Sequence, residues 1–89
     1  MSGALVKYDL GALRGGELVT ITIKECANVR LIDASNLGNY ERGQRFRFQG
    51  GQALRSPIHL RVPRPDHWFV VIDLGGASGT IRSNVSVTK

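Results

Sequence analysis

Residues 17–23 read ELVTITI, and their spacing decides the fold class. Val19, Ile21 and Ile23 fall on one side of an extended chain, with Leu18, Thr20 and Thr22 on the other. Successive side chains of a strand point to opposite faces, so this alternation marks a strand with one face on a core. The β-branched residues that fill it suit a pleated, half-buried surface.

The same period returns along the chain. NVRLID (28–33) sets Val29 and Leu31 against Arg30 and Ile32, and RFRF (45–48) sets Phe46 and Phe48 against Arg45 and Arg47. PIHLRV (57–62) sets Ile58, Leu60 and Val62 against His59 and Arg61. TIRSNVSVT (80–88) sets Ile81, Val85 and Val87 against Arg82, Asn84, Ser86 and Thr88, and a short strand in LVKYDL opens the fold. Between these runs lie the turn-rich stretches GALRGG (11–16), ASNLGNYERG (34–43), QGGQALRS (49–56), PRPD (63–66) and GGASG (75–79). The longest of them has room for one helical turn and no more. About seven mainly antiparallel strands in a single domain, residues 1–89, predict an all-β protein built as a two-layer β-sandwich. A small closed barrel is the alternative, since it produces the same alternation.

HWFVVIDL (67–74) departs from the half-buried pattern. Trp68, Val70, Ile72 and Leu74 fill one face, while Phe69 and Val71 make the other face apolar too. Such a run reads as a central strand covered on both sides. The expected cover is the 34–43 segment, with Leu37 and Tyr40; a second protein molecule docking on Phe69 and Val71 is the alternative. Asp73 interrupts that second face and needs a partner if buried. A hairpin joining 67–74 to 80–88 across GGASG would set Asp73 opposite or diagonal to Arg82, which predicts a structural Asp73–Arg82 ion pair.

Composition bounds the function classes. An apolar fraction of 42% with 21% charged residues is ordinary for a folded chain. No apolar run approaches the roughly 18 residues of a membrane span. The opening MSGALVKYDL lacks a basic start followed by a long apolar segment, and Cys26 is the single cysteine. The expectation is a cytoplasmic protein without an intrachain disulfide or membrane association.

The net charge of +5 is concentrated: six arginines lie between Arg42 and Arg64, with no acidic residue among them. On strand alternation Arg45 and Arg47 share an outward face, as do His59 and Arg61, with Arg42, Arg55 and Arg64 on flanking loops. If those strands were neighbours, cation would oppose cation unless an anion intervened. The functional reading is therefore an anion- or partner-binding face of Arg42, Arg45, Arg47, Arg55, His59 and Arg61. Its competitor is a solvated or guarded strand face, neutralised by Glu17, Glu25 or Glu41. Nucleic-acid binding is less favoured, because base stacking needs aromatic rings beside the cations and alternation sends Phe46 and Phe48 inward.

Catalysis and metal binding find little purchase. Cys26 with His59 or His67 and an aspartate would be needed for a thiol-dependent hydrolase, but a lone cysteine is more often a small buried hydrophobe. GASGT (76–80) ends in Thr80 where an esterase elbow has glycine. His59 and His67 have no zinc-type spacing, and Asn28, Asp33 and Asn36 read as turn residues before they read as a calcium site. The glycine pairs Gly15–Gly16, Gly50–Gly51 and Gly75–Gly76 precede no expected helix, so they read as turns and not phosphate cradles. No catalytic residue, metal or cofactor is expected.

The segments YDLG (8–11), ANVRLID (27–33), NYERG (39–43), RSP (55–57) and HWFVVIDLGG (67–76) together resemble the bacterial domain of unknown function 1883 family, over nearly the whole chain. The resemblance implies a small all-β domain that occurs alone or beside a TIR domain, hence a recognition or regulatory module in bacterial sensing or defence. It implies no catalytic or ligand residues. The expected function is a non-catalytic module that recognises a small anionic ligand or an acidic protein surface.

Overall fold

The computed structural model describes residues 4–89, so the first three residues of the expected domain lie outside the described residues. Among the described residues lie seven strands, divided between two sheets: β1 (Leu5–Leu13), β2 (Leu18–Ile23), β3 (Ala27–Asp33), β4 (Gln49–Ala53), β5 (Ile58–Arg61), β6 (Asp66–Asp73) and β7 (Ser83–Thr88). One helix, α1 (Ala34–Glu41), joins β3 to β4. One sheet has the order β1-β6-β3-β4 and the other β5-β2-β7, every pair antiparallel. The result is an open two-layer sandwich and not a closed barrel.

The core lies between the sheets. Val19, Ile21 and Ile23 from β2 face Val29 and Leu31 from β3 and Trp68, Val70 and Ile72 from β6, all buried. Each such aliphatic side chain contributes about 1.5–3 kcal/mol by leaving water. At the margin, the Tyr8 and Ser83 hydroxyls hydrogen-bond at 2.6 Å and tie edge strand β1 to edge strand β7.

The strand HWFVVIDL is central, between β1 and β3, and its second face is covered from within the chain. Val71 and Ile32 pack under Leu37 of α1, with Tyr40, Phe46 and Phe69 around them. This helix is twice the length expected from the sequence. ASNLGNYE carries Gly38 and two asparagines, a poor intrinsic helix former, and burial of Leu37 on the sheet overrides that propensity.

Three other expectations are corrected. RFRF forms no strand; β4 begins only at Gln49. The Arg47 backbone N–H is bonded to the Asn36 side chain of α1 at 2.8 Å, so this segment is tied to the helix and not to a ladder. Phe46 is half-buried against Tyr40, while Phe48 is 40% exposed, contrary to the inward placement expected of both rings. The 67–74/80–88 hairpin does not form, because both sides of β6 are taken by β1 and β3 and the chain crosses to pair β7 with β2. The Asp73–Arg82 pair is accordingly absent: Asp73 binds Arg30, and Arg82 binds Glu25 at 3.1 Å.

Candidate functional site

β4 is shorter than the strand beside it. Its first residue, Gln49, pairs with Leu31, which leaves Ile32 and Asp33 at the end of β3 without a β4 neighbour. Beyond that point the chain peels away over α1, and the β5–β6 connection passes on the other side. An open cleft of about 670 Å³ lies between them.

Trp68 forms its floor, with the indole N–H donating to the Arg64 carbonyl at 3.0 Å. The Arg64 guanidinium lies 5.0 Å from the centre of the same ring and reaches the Asp33 carboxylate at 3.3 Å. Asp33 is buried, and burial by itself opposes its ionisation. The Asn36 amide donor at 2.6 Å and the charge of Arg64 outweigh that penalty, so its pKa falls below the ordinary carboxylate value. Asn36 then holds the Arg47 backbone through its other amide atom. Polar contacts thus link the floor to the wall, and the wall presents Arg47 and the exposed ring of Phe48.

Arg47 differs electrostatically from Arg64. Among the described residues no carboxylate lies within ion-pair distance of its guanidinium, nor of those of Arg42, Arg45, Arg55 and Arg61. The acids expected to neutralise them are engaged elsewhere. Glu17 is buried and accepts the Arg14 and Gly15 N–H groups at 2.7 Å, Glu25 holds Arg82, and Glu41 holds Lys7 at 3.2 Å.

The expected site residues are dispersed. Arg47 lines the cleft; Arg45 stands exposed two residues before it. Arg42, just past α1, is hydrogen-bonded to Asn39 at 2.8 Å. Arg55 lies in the β4–β5 turn beside a separate hollow of about 310 Å³. His59 and Arg61 occupy the outer face of β5, in the opposite sheet from β4, where His59 meets Thr20 at 3.2 Å and Arg61 donates to the Gly16 carbonyl at 2.6 Å. The single face of opposed cations expected from alternation is therefore not formed. Sequence reasoning missed Asp33, Asn36, Phe48 and Trp68 as cleft residues. The DASN run, an acid at the helix start with an amide three residues on, was the available signal for the first two.

Cys26 is exposed, not buried, at the turn before β3. Its surroundings, Asn28, Gln52 and Leu74, hold no histidine. The close histidine–carboxylate pair is instead His67 with Asp9, at 2.6 Å on the outer face of the β1–β6 sheet. Among the described residues no group of three or more His, Cys, Asp or Glu side chains is arranged to hold a metal ion. Asn28 donates to Asp73 and Asn36 to Asp33, so the three residues weighed for calcium serve two separate hydrogen-bonded pairs. No described helix is long and apolar enough to cross a membrane.

Fold and cleft define a small all-β sandwich domain with one helix packed on an outer sheet face. The chain belongs to the family described as Domain of unknown function (DUF1883), whose sequence model matches residues 4–89. A search of curated proteins and a search of solved structures each returned no match.

Proposed function

We propose that this domain is a non-catalytic binding module that recognises a small anionic ligand or an acidic protein surface through the cleft at the β3–α1 junction. The observation that carries the reading is Arg47: its guanidinium has no carboxylate partner among the described residues, and Arg47 lines the same open cleft as the exposed Phe48. A planar, weakly hydrated cation next to an aromatic face suits a carboxylate or phosphate attached to a flat or apolar group. The Asp33–Arg64 pair below it has compensated charges and positions the floor. The isolation of Cys26 from both histidines favours binding over thiol chemistry. The lone exposed thiol also favours a reducing, cytoplasmic setting, in keeping with the regulatory role in bacterial sensing that the family resemblance suggests.

The test is a thermal-shift screen against nucleotides, phosphosugars and short oligonucleotides, followed by titration of any stabiliser. Arg47→Ala and Phe48→Ala are each expected to weaken binding by about tenfold or more. His59→Ala and Arg61→Ala should leave it unchanged. Loss of affinity in the His59 and Arg61 variants with Arg47→Ala unaffected would move the site to the other sheet.

Phe48 also favours a second reading. An exposed ring in a cleft that also holds an uncompensated arginine suits the stacking and backbone contacts of single-stranded nucleic acid. Affinity for unrelated oligonucleotides that falls steeply with added salt would select that reading.

A further inference from the structure

β4 is the outermost strand of its sheet, with β3 on one side and, among the described residues, no strand on the other. In such a strand every second residue turns its N–H and C=O away from its one neighbour, which leaves a row of unpaired backbone groups. Proteins ordinarily guard such edges. In this molecule β1 carries a bulge between Asp9 and Gly11, and β5 is only four residues long. β4, with the sequence QGGQA, has no charge, no proline and two central glycines. Gly50 is required by close packing, since a side-chain carbon there would collide with the Val29 carbonyl. Gly51 has open space where its side chain would be, so the middle of the edge is bare backbone. Glycine within a strand marks places where another backbone can approach closely.

The two ends of β4 are furnished differently. Phe48 precedes it and Leu54 follows it, 40% and 69% exposed. The five residues of β4 lie between them, so the two side chains stand about 20 Å apart along the extended chain. The cleft opens at the Phe48 end and the smaller hollow at the Leu54 end. Arg45 and Arg47 lie before the strand and Arg55 after it, none with a carboxylate in ion-pair range among the described residues. An edge merely guarded against pairing would carry its charge on the strand. Here the cations frame a bare strand.

We propose that the open edge of β4 receives an extended acidic peptide as an added strand. Its backbone pairs with β4, its carboxylates meet Arg45, Arg47 and Arg55, and its apolar side chains settle against Phe48 and Leu54. Backbone pairing supplies affinity and the framing cations supply selectivity, as in other strand-addition complexes. A second copy of this chain fits poorly, because two β4 edges would bring arginine against arginine. The proposal rests on the anion-binding reading of the cleft, since Arg47 belongs to both, and it names the partner class.

The probe is a capped heptapeptide alternating glutamate and valine, titrated into the 15N-labelled domain, with adenosine monophosphate titrated separately. The peptide should shift the amides of residues 49–53 and protect the alternate ones that face the open edge. Arg55→Glu should weaken it by roughly tenfold, with the rest of the amide spectrum unchanged and the nucleotide unaffected. Replacing glutamate by lysine in the peptide should abolish binding, and so should N-methylating whichever set of alternate residues, valines or glutamates, faces β4, each set being methylated in its own peptide. N-methylation alters only the ligand, so this arm is independent of how any variant folds. Equal binding of both N-methylated peptides would overturn strand addition. Nucleotide binding without peptide binding would overturn the edge proposal and leave the cleft reading standing; binding of neither would overturn both. Peptide binding alone would support the edge and restrict the module to protein partners. Protection of residues 49–53 by self-association, without peptide, would give the edge to a second copy and overturn the proposal.

Discussion

The Asp73 carboxylate and the Arg30 guanidinium meet at 2.5 Å, diagonally across neighbouring strands β6 and β3. Asn28, directly opposite Asp73, donates to the same carboxylate at 2.9 Å, and the Gly75 N–H donates at 2.8 Å. The Tyr40 hydroxyl approaches from α1 at 3.4 Å. One side chain therefore ties together two strands, the covering helix and the turn after β6. The guanidinium is further covered by aromatic faces, with Tyr40 at 5.7 Å and Phe48 at 5.2 Å. Buried Arg30 Nε finds no hydrogen-bond acceptor among the described residues, and this aromatic enclosure is what surrounds the guanidinium.

Removing either partner is expected to be costly. Breaking a fully buried ion pair costs roughly 3–5 kcal/mol. With the two side chains 19% and 13% exposed, Asp73→Asn should lose about 2–3 kcal/mol. In double-mutant cycles by urea denaturation, Asp73→Asn and Arg30→Met should couple by about 1 kcal/mol or more. Asp73→Asn and Arg82→Ala should add within about 0.5 kcal/mol. Coupling to Arg82 instead would restore the hairpin that the sheet order excludes.

Acid should unfold the domain through these carboxylates. Burial opposes ionisation of Asp73, but the Asn28 and Gly75 donors and the Arg30 charge outweigh it, and its pKa lies below the ordinary value. Asp33 is shifted the same way. A carboxylate whose folded pKa is depressed stabilises the fold fully above its unfolded pKa, about 4. That contribution disappears as pH falls through the folded value. Unfolding free energy measured from pH 7 to pH 2.5 should thus be flat at first and decline below about pH 4. The decline should be shallower in Asp73→Asn.

The parts of this architecture that were legible in the sequence are those governed by side-chain period. Val19, Ile21 and Ile23 share the core face that their spacing requires, and the doubly apolar HWFVVIDL takes the central position. RFRF has the same period but forms no strand, because a hydrogen bond from the Arg47 N–H to Asn36 and packing on Tyr40 hold it to the helix. Local alternation carries no information about that tertiary competition. The partner of Asp73 was illegible for a related reason. Alternation shows which face a residue occupies, whereas strand order decides its neighbour, and here the chain changes sheet after β6. The arginine site dispersed for the same cause: β4 and β5 follow one another in sequence but lie in different sheets.

The cover over the outer sheet face depends on Leu37. Its side chain is the one buried residue of α1 and packs on Ile32 and Val71. Leu37→Ala should cost about 2–4 kcal/mol, from lost burial plus the void left behind. Because the helix has poor intrinsic propensity, the loss should be local before it is global. Amide exchange in residues 34–41 should accelerate well before that of β2, and binding of a hydrophobic dye should rise as Phe69 and Val71 are uncovered. Equal acceleration in both elements would mean that helix and sandwich form one cooperative unit.

Two glycines should respond oppositely to alanine. Gly38 lies inside α1, where a methyl group would meet only the flexible tip of Arg42, at 3.2 Å. Gly38→Ala removes unfolded-state entropy and favours the helix, so a gain of about 0.5–1 kcal/mol is expected. Gly50 has φ near +110°, a conformation that side-chain-bearing residues avoid, and its added carbon would press into the Val29 carbonyl. Gly50→Ala combines strain with that collision and should cost about 2 kcal/mol or more. Because β4 must shift away from β3 to relieve it, the amides of residues 49–53 should lose protection in this variant. Unchanged stability and unchanged protection in Gly50→Ala would show that β4 does not approach β3 this closely. The bare, rigid edge on which strand addition depends would then be lost with it.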